Sequence, residues 1–234
     1  VERAVNRYKA EEEENGWNIH KLDYDLVIAA IEAVVEGCFP SATSEVADSW
    51  EDTEEEVDDG AVLVFEPTIH GDERGCFFEA FRADRLAELG VHGPWVQDNH
   101  SISRAGALRG IHYQWDSPQG KLVRVGHGRA WDLVVDLRQD SPTFGSWKGF
   151  DLNAKNHRQI WVPAGFGHAF LALEDETHLL YKCSAVYNGQ GEGNIHPFDE
   201  DLAIEWPWRR DHIELSPRDQ AAPSFSSYRG APRF

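Results

Sequence analysis

No run of roughly 18 or more apolar residues occurs in this chain of 234 residues, so no helical membrane span is expected. Cysteine is scarce. Cys38, Cys76 and Cys183 are widely spread and form no CxxC pair. That pattern supports neither a disulfide framework nor a zinc knuckle, and free buried thiols are expected. Basic residues are few, 22 against 41 acidic, for a net charge of −19. Phosphate-rich partners such as nucleic acid need basic surface, so nucleic acid is excluded. The first residues are charged and carry no apolar signal segment. The expectation is a soluble cytoplasmic protein that binds no membrane. No repeat of 20–50 residues and no glycine-rich phosphate loop between strand and helix is present.

The acidity is uneven. Residues 1–60 hold 18 acidic and 4 basic residues, and the remainder 23 and 18. Two acidic blocks, "AEEEENG" and "SWEDTEEEVDDG", read as solvated. Between them "LDYDLVIAAIEAVVEGCFP" predicts one helix over about 24–37, with Asp25 as cap, Gly37 as end and Pro40 as stop. No chemistry is evident in this extension. From residue 61 short β-rich runs alternate with turn signals. The spacing is that of an all-β sandwich or barrel over 61–225, with short peripheral helices. "FRADRLAELG" predicts one such helix. "GHG" at 126–128 reads as a hairpin turn. Residues 226–234 are expected to form a C-terminal tail.

"LRGIHYQW", residues 108–115, poses the chemical question. Metal-binding barrels of the cupin type supply His-x-His with a following Glu, then a P-x-G-x-x-H turn. The second motif is present as "PAGFGH", with Pro163, Gly165 and His168. The first is not: Gln114 stands where the second histidine belongs, and the nearest carboxylate is Asp116 in a turn. One or two imidazoles without an acidic ligand make a poor divalent-ion site. No metal and no cofactor are expected. An imidazole without a metal is a natural proton acceptor near neutral pH, best served by a carboxylate on its second nitrogen.

At these residues the chain resembles the dTDP-4-dehydrorhamnose 3,5-epimerases, metal-independent enzymes with a cupin-like jelly roll. "GDERGCFFEAF", "VQDNHSISRAGALRGIHYQ", "QGKLVRV", "DLVVDLRQDSPTFGSW", "RQIWVPAGFGHAFLAL", "LLYKCSAVYN" and "LSPRDQAAPSF" match in order, from about Val62 to about Phe225. Residues 1–60 lie outside the resemblance. It implies inversion of C3 and C5 of a dTDP-4-keto-6-deoxyhexose through an enolate α to the C4 ketone. It makes His112 the base, Asp219 its carboxylate partner and Tyr181 the acid on the opposite face. Lys121 becomes the group that stabilises charge on the C4 oxygen. Arg74 and Arg109 become diphosphate ligands. Glu79, Gln97 and Asn99 contact the thymidine and pyrophosphate end, Tyr187 stacks near the base, and His168 is a pocket histidine. Ala169 replaces the usual glycine. The resemblance also implies a homodimer that exchanges its first barrel strands, so that Arg74 and Glu79 serve the neighbouring site.

Each residue alone reads as ordinary: a core histidine, barrel tyrosines, a turn aspartate. Their co-occurrence in order carries the assignment. Three rival readings remain: inversion of C5 alone or C3 alone, a ketoisomerase moving the carbonyl, and a non-catalytic sugar-nucleotide binder or metal-dependent oxygenase. Period two puts Tyr181, Cys183, Ala185 and Tyr187 on one strand face, and Gln97 with Asn99 on another. Arg109 and His112 are three apart, which strict alternation sends to opposite faces. If both serve one pocket, a bulge or sharp twist is predicted at Gly110. Regular pairing with Arg109 outside the barrel would contradict its phosphate role.

Overall fold

The structure is a computed structural model that describes residues 29–31 and 62–234. Fourteen strands are described: β1 Ala29–Ile31, β2 Leu63–Glu66, β3 His70–Asp72, β4 Gly75–Phe77, β5 Gln97–Ser103, β6 Ala107–Gln114, β7 Lys121–His127, β8 Arg129–Asp136, β9 Trp147–Asn153, β10 Gln159–Val162, β11 Phe166–Ala172, β12 Thr177–Cys183, β13 Glu192–Asn194 and β14 Glu214–Leu215. The helices are α1 Ala83–Glu88, α2 Pro217–Gln220 and α3 Phe225–Gly230, with a single 3-10 turn at Arg210–His212.

One sheet has the order β1-β2-β10-β7-β12-β5 and the other β13-β6-β11-β8-β9, with β14 alongside β6. From β5 to β8 successive strands alternate between the sheets, as do β9 to β13. This is the jelly roll expected from the sequence. The turn at 126–128 is there, with Gly128 at φ +74°, but it carries the chain from one sheet to the other and closes no hairpin.

Alternation fills the space between the sheets. Val123, Val125, Val134, Phe166, Phe170 and Leu179 meet there, nearly or wholly buried. The other face of β8 sends Leu133 and Val135, with Leu137 just beyond its end, into a second layer, roofed by Phe225 and Tyr228 of α3. Tyr228 donates its hydroxyl proton to the Leu137 carbonyl at 2.7 Å. The expected boundary at 225 therefore falls on the first residue of a helix docked on the barrel. The tail from 226 belongs to the domain, because its aromatic residues cover an apolar sheet face. Helix α1 has no side-chain cap and is held by Leu86, buried with Phe65, Leu122 and Trp161.

Of the helix expected over 24–37, only residues 29–31 are described, and they form a strand. Ala29 pairs with Glu66 and Ile31 with Val64, antiparallel. An open sheet edge offers unpaired backbone groups that recruit a nearby extended segment. The rest of that expectation, and Cys38, lie outside the described residues. Cys183 is buried as expected, whereas Cys76 is exposed, because its hairpin β3–β4 projects from the barrel.

The irregularity predicted at Gly110 is present. Along β11, His168 pairs with His112 and Phe170 with Arg109, so Gly110 and Ile111 together face Ala169. This two-against-one step returns Arg109 and His112 to the same inner face. Gly110 has φ +120°, and a Cβ there would lie 2.5 Å from the Ala169 Cβ. Gly110→Ala combines a disfavoured backbone with overpacking and is expected to cost about 3 kcal/mol. Urea denaturation measures this as a lower midpoint at unchanged slope; a loss below about 1 kcal/mol would contradict the role given to the bulge.

Candidate active site

His112 comes from β6 and Asp219 from the C-terminal helix α2, 107 residues later. The tail reaches it in two steps. Strand β14 pairs in parallel with Ala107 and Leu108, and Ser216 then caps α2, with Pro217 opening the helix. Ser216 Oγ accepts from the Asp219 amide at 3.1 Å and donates to Asp219 Oδ2 at 2.9 Å. The other oxygen, Oδ1, receives His112 Nε2–H at 2.6 Å. Asp219 is buried. Burial pushes its carboxyl up, but hydrogen bonds from His112, Ser216 and the Gly110 amide outweigh it and hold the group below its usual range.

A second pair lies beside the first. His168, opposite His112 in the register, directs Nε2 to Asp132 Oδ1 at 2.8 Å. Asp132 is wholly buried, and among the described residues its Oδ2 has no hydrogen-bond partner. Both imidazoles thus face carboxylates as hydrogen-bond partners. Among the described residues no group of three His, Cys, Asp or Glu side chains could hold a metal ion.

The facing sheet supplies the other polar groups. Tyr181 on β12 lies between Asn99 on β5 and Val123 on β7. Burial, with Cys183 and Glu192 nearby, pushes its phenol up, opposed by Arg109. The phenol therefore keeps its proton at neutral pH. Lys121 pairs with Cys183, and burial pushes its ammonium down while Cys183, Glu192 and Asp132 counter the shift. Arg109 reaches across from β6 and donates its Nε–H to Ser103 Oγ of β5 at 3.1 Å. Gln97 donates to Asn99 at 3.0 Å, and Asn99 to Cys183 Sγ at 3.4 Å.

Tyr187 departs from the sequence expectation. Strand β12 ends at Cys183, and Tyr187 sits on the following loop, more than half exposed. Its amide donates to Gln97 Oε1 at 2.7 Å and its hydroxyl to Glu192 Oε2 at 2.9 Å. Glu192 also takes Arg218 Nη2–H at 2.7 Å. Glu192, Arg218 and Asp132 were missed in the sequence. Asp132 left a signal, a carboxylate on the inner face of "RAWDLVVDLR" in phase with Asp136. Glu192 opens the three-residue strand β13 in a glycine-rich stretch too short to show period two, and Arg218 adjoins Asp219 in a stretch rich in proline and charge.

Nine of the eleven expected site residues thus meet between the sheets or at their mouth. Arg74 and Glu79 do not. Arg74 stands exposed at the tip of hairpin β3–β4 and pairs with Asp72. Glu79 lies 4.0 Å from Arg82, and its buried Oε1 has no hydrogen bond among the described residues.

Residues 56–227 match the family model described as dTDP-4-dehydrorhamnose 3,5-epimerase. The chain belongs to this epimerase family. A Salmonella typhimurium dTDP-4-dehydrorhamnose 3,5-epimerase is 47% identical over 164 residues, 69% of this chain and 89% of the relative. A Legionella pneumophila dTDP-6-deoxy-D-glucose-3,5-epimerase, solved in complex with dTDP-4-keto-L-rhamnose, superposes with TM-score 0.69 at 45% identity, covering 73% of this chain and 90% of that one. A 3′-monoepimerase from Streptomyces bikiniensis, in complex with dTDP-quinovose, gives TM-score 0.67 at 40% identity, covering 71% and 85%. The epimerase-family match takes in all eleven expected residues and the three that were missed.

Because folding holds the Asp219 carboxyl below its unfolded value, its ionised form stabilises the protein above about pH 3.9. That contribution is lost as pH falls through the lower folded value. Asp219→Asn is therefore expected to unfold more easily than the wild type near neutral pH, with the gap closing below about pH 4. Urea denaturation across this range checks it; a gap independent of pH would contradict it.

Proposed function

We propose that the protein epimerises dTDP-4-keto-6-deoxy-D-glucose at C3 and C5 to give dTDP-4-keto-L-rhamnose. The observation that carries this reading is the His112–Asp219 pair on one sheet with the Tyr181 phenol on the facing one. Base and acid on opposite walls are what inversion of a carbon centre requires.

With Nε2–H donated to Asp219, His112 Nδ1 holds the lone pair. It removes the proton from carbon α to the C4 ketone, and the C–H electron pair moves into an enolate. Asp219 stabilises the imidazolium that forms. The Lys121 ammonium faces the enolate oxygen, where its charge counts most in a site shielded from water. Tyr181 then donates its proton to the other face of the same carbon. The centre is inverted, and solvent restores both groups for the second centre. Arg109, Gln97, Asn99 and Tyr187 hold the nucleotide end, and His168 lines the sugar pocket.

Hairpin β3–β4 supports a homodimer. Phe77 and Ile69 are 46% and 43% exposed, and Arg74 pairs with the neighbouring Asp72 of its own hairpin. Exchange with a second copy would cover the apolar pair and deliver Arg74 and Glu79 to the neighbour's nucleotide. The strand edge of β5 is unpaired among the described residues and would receive it. A cytoplasmic setting fits the exposed free thiol of Cys76. The likeness to the Streptomyces bikiniensis monoepimerase keeps a single-centre enzyme as the second reading.

Incubation with dTDP-4-keto-6-deoxy-D-glucose in deuterated water, followed by NMR, separates these. Deuterium at C3 and C5 is expected. Label at one centre would support the monoepimerase, and none with folded wild type would overturn the function. His112→Ala is expected to slow exchange by about 10³-fold or more, and Tyr181→Phe to reduce turnover by about 10²-fold with a smaller change in KM. Sedimentation should give twice the chain mass; a monomer at working concentration would contradict strand exchange.

A further inference from the structure

Gln114 occupies the position where a metal-binding barrel would carry its second histidine. It is 6% exposed, on the inner face of β6 beside His112 and opposite Glu192 in the register. Its amide group is fully engaged. Nε2 donates to the Ser117 carbonyl at 2.6 Å and to the Val186 carbonyl at 3.1 Å, and Oε1 accepts from the Asn188 amide at 2.8 Å. The two loop contacts bracket Tyr187, whose own amide is held by Gln97. Three successive loop residues are therefore pinned by two glutamine side chains. Tyr187 itself is 53% exposed, and its ring lies in none of the buried clusters. Packing does not fix it; the backbone hydrogen bonds of its loop and the hydroxyl's bond to Glu192 do.

We propose that Gln114 is a positioning residue for nucleotide binding, acting through Tyr187. It pre-sets the loop so that the phenol ring stands at the mouth with its hydroxyl on Glu192, ready to meet the base. An exposed loop that had to be ordered by the ligand would lower affinity by the cost of that ordering. The position that holds an ion in other barrels here holds the loop over the pocket. This proposal rests on the functional reading above, which makes Tyr187 a nucleotide contact.

The test is a double-mutant cycle on the full chain, read by calorimetric titration with dTDP. Gln114→Leu keeps the side chain's bulk and removes its three hydrogen bonds. It is expected to raise the dTDP Kd about tenfold. In a Tyr187→Ala background the same change is expected to move Kd less than about twofold, because the residue it positions is gone. In turnover, KM should rise more than kcat falls. Equal effects in both backgrounds, no effect in either, or a loss confined to kcat would each overturn the proposal. Gln114→Glu is the second variant if Leu prevents folding. It keeps the acceptor for Asn188 and loses the donors, and the same cycle applies. Amide exchange supplies a readout that needs no ligand: Gln114→Leu should speed exchange at Asn188 by at least about tenfold, leaving the β6–β11 ladder protected. If wild type fails to bind dTDP, the functional reading falls, and the exchange result still decides whether Gln114 holds the loop.

Discussion

The 2.6 Å bond between His112 Nε2 and Asp219 Oδ1 depends on more of the chain than any other contact in the site. Its two ends are 107 residues apart. For the bond to form, β6 must turn His112 inward, and the tail must return along β6 as β14 and then stop in a capped helix. Ser216 and the Gly110 amide contribute further hydrogen bonds to the same carboxylate. A buried carboxylate without such donors would take up a proton and cease to orient the imidazole. The tail, rich in proline and polar residues, is thereby part of the site rather than an appendage.

Gly110 links this pair to the rest of the pocket. Its bulge lets Arg109 and His112, three residues apart, face the same interior, and its amide faces Asp219. Glycine is required there on two counts, the positive φ and the close approach of Ala169. One backbone position thus sets the phase of the base, the reach of Arg109 to Ser103 and part of the charge on Asp219. In the wall opposite, the pairing of β12 with β7 shifts between His178 and Leu179 and is regular from there to Cys183, so Tyr181 and Lys121 are delivered by simple alternation.

What could be read in the sequence divides along the same line. Alternation and the turn signals between strands identified an all-β sandwich or barrel, because half-buried strands impose period two on their residues, and the family resemblance narrowed it to the jelly roll. The same rule located the Gly110 irregularity, since two functional residues could share a face only through a break in phase. It failed for Tyr187, where the strand stops at Cys183 and backbone contacts to glutamine side chains replace the ladder. Glu192 and Arg218 were illegible for a related reason: their pairing joins a three-residue strand and a four-residue helix, both too short to show a period. In the segment at 29–31, apolar density resembled a helix face, yet the open edge of β2 took those residues as a strand. Periodicity records which face is buried, not what covers it.

The central claim is that Asp219 fixes the His112 ring with the proton on Nε2 and the lone pair on Nδ1. Nitrogen-15 NMR of histidine-labelled protein reads this directly, with His112→Asn assigning the signal. The account predicts a proton on Nε2 and the lone pair on Nδ1, and loss of that tautomer preference in Asp219→Ala. A ring protonated at Nδ1, or one unchanged by removal of Asp219, would contradict it.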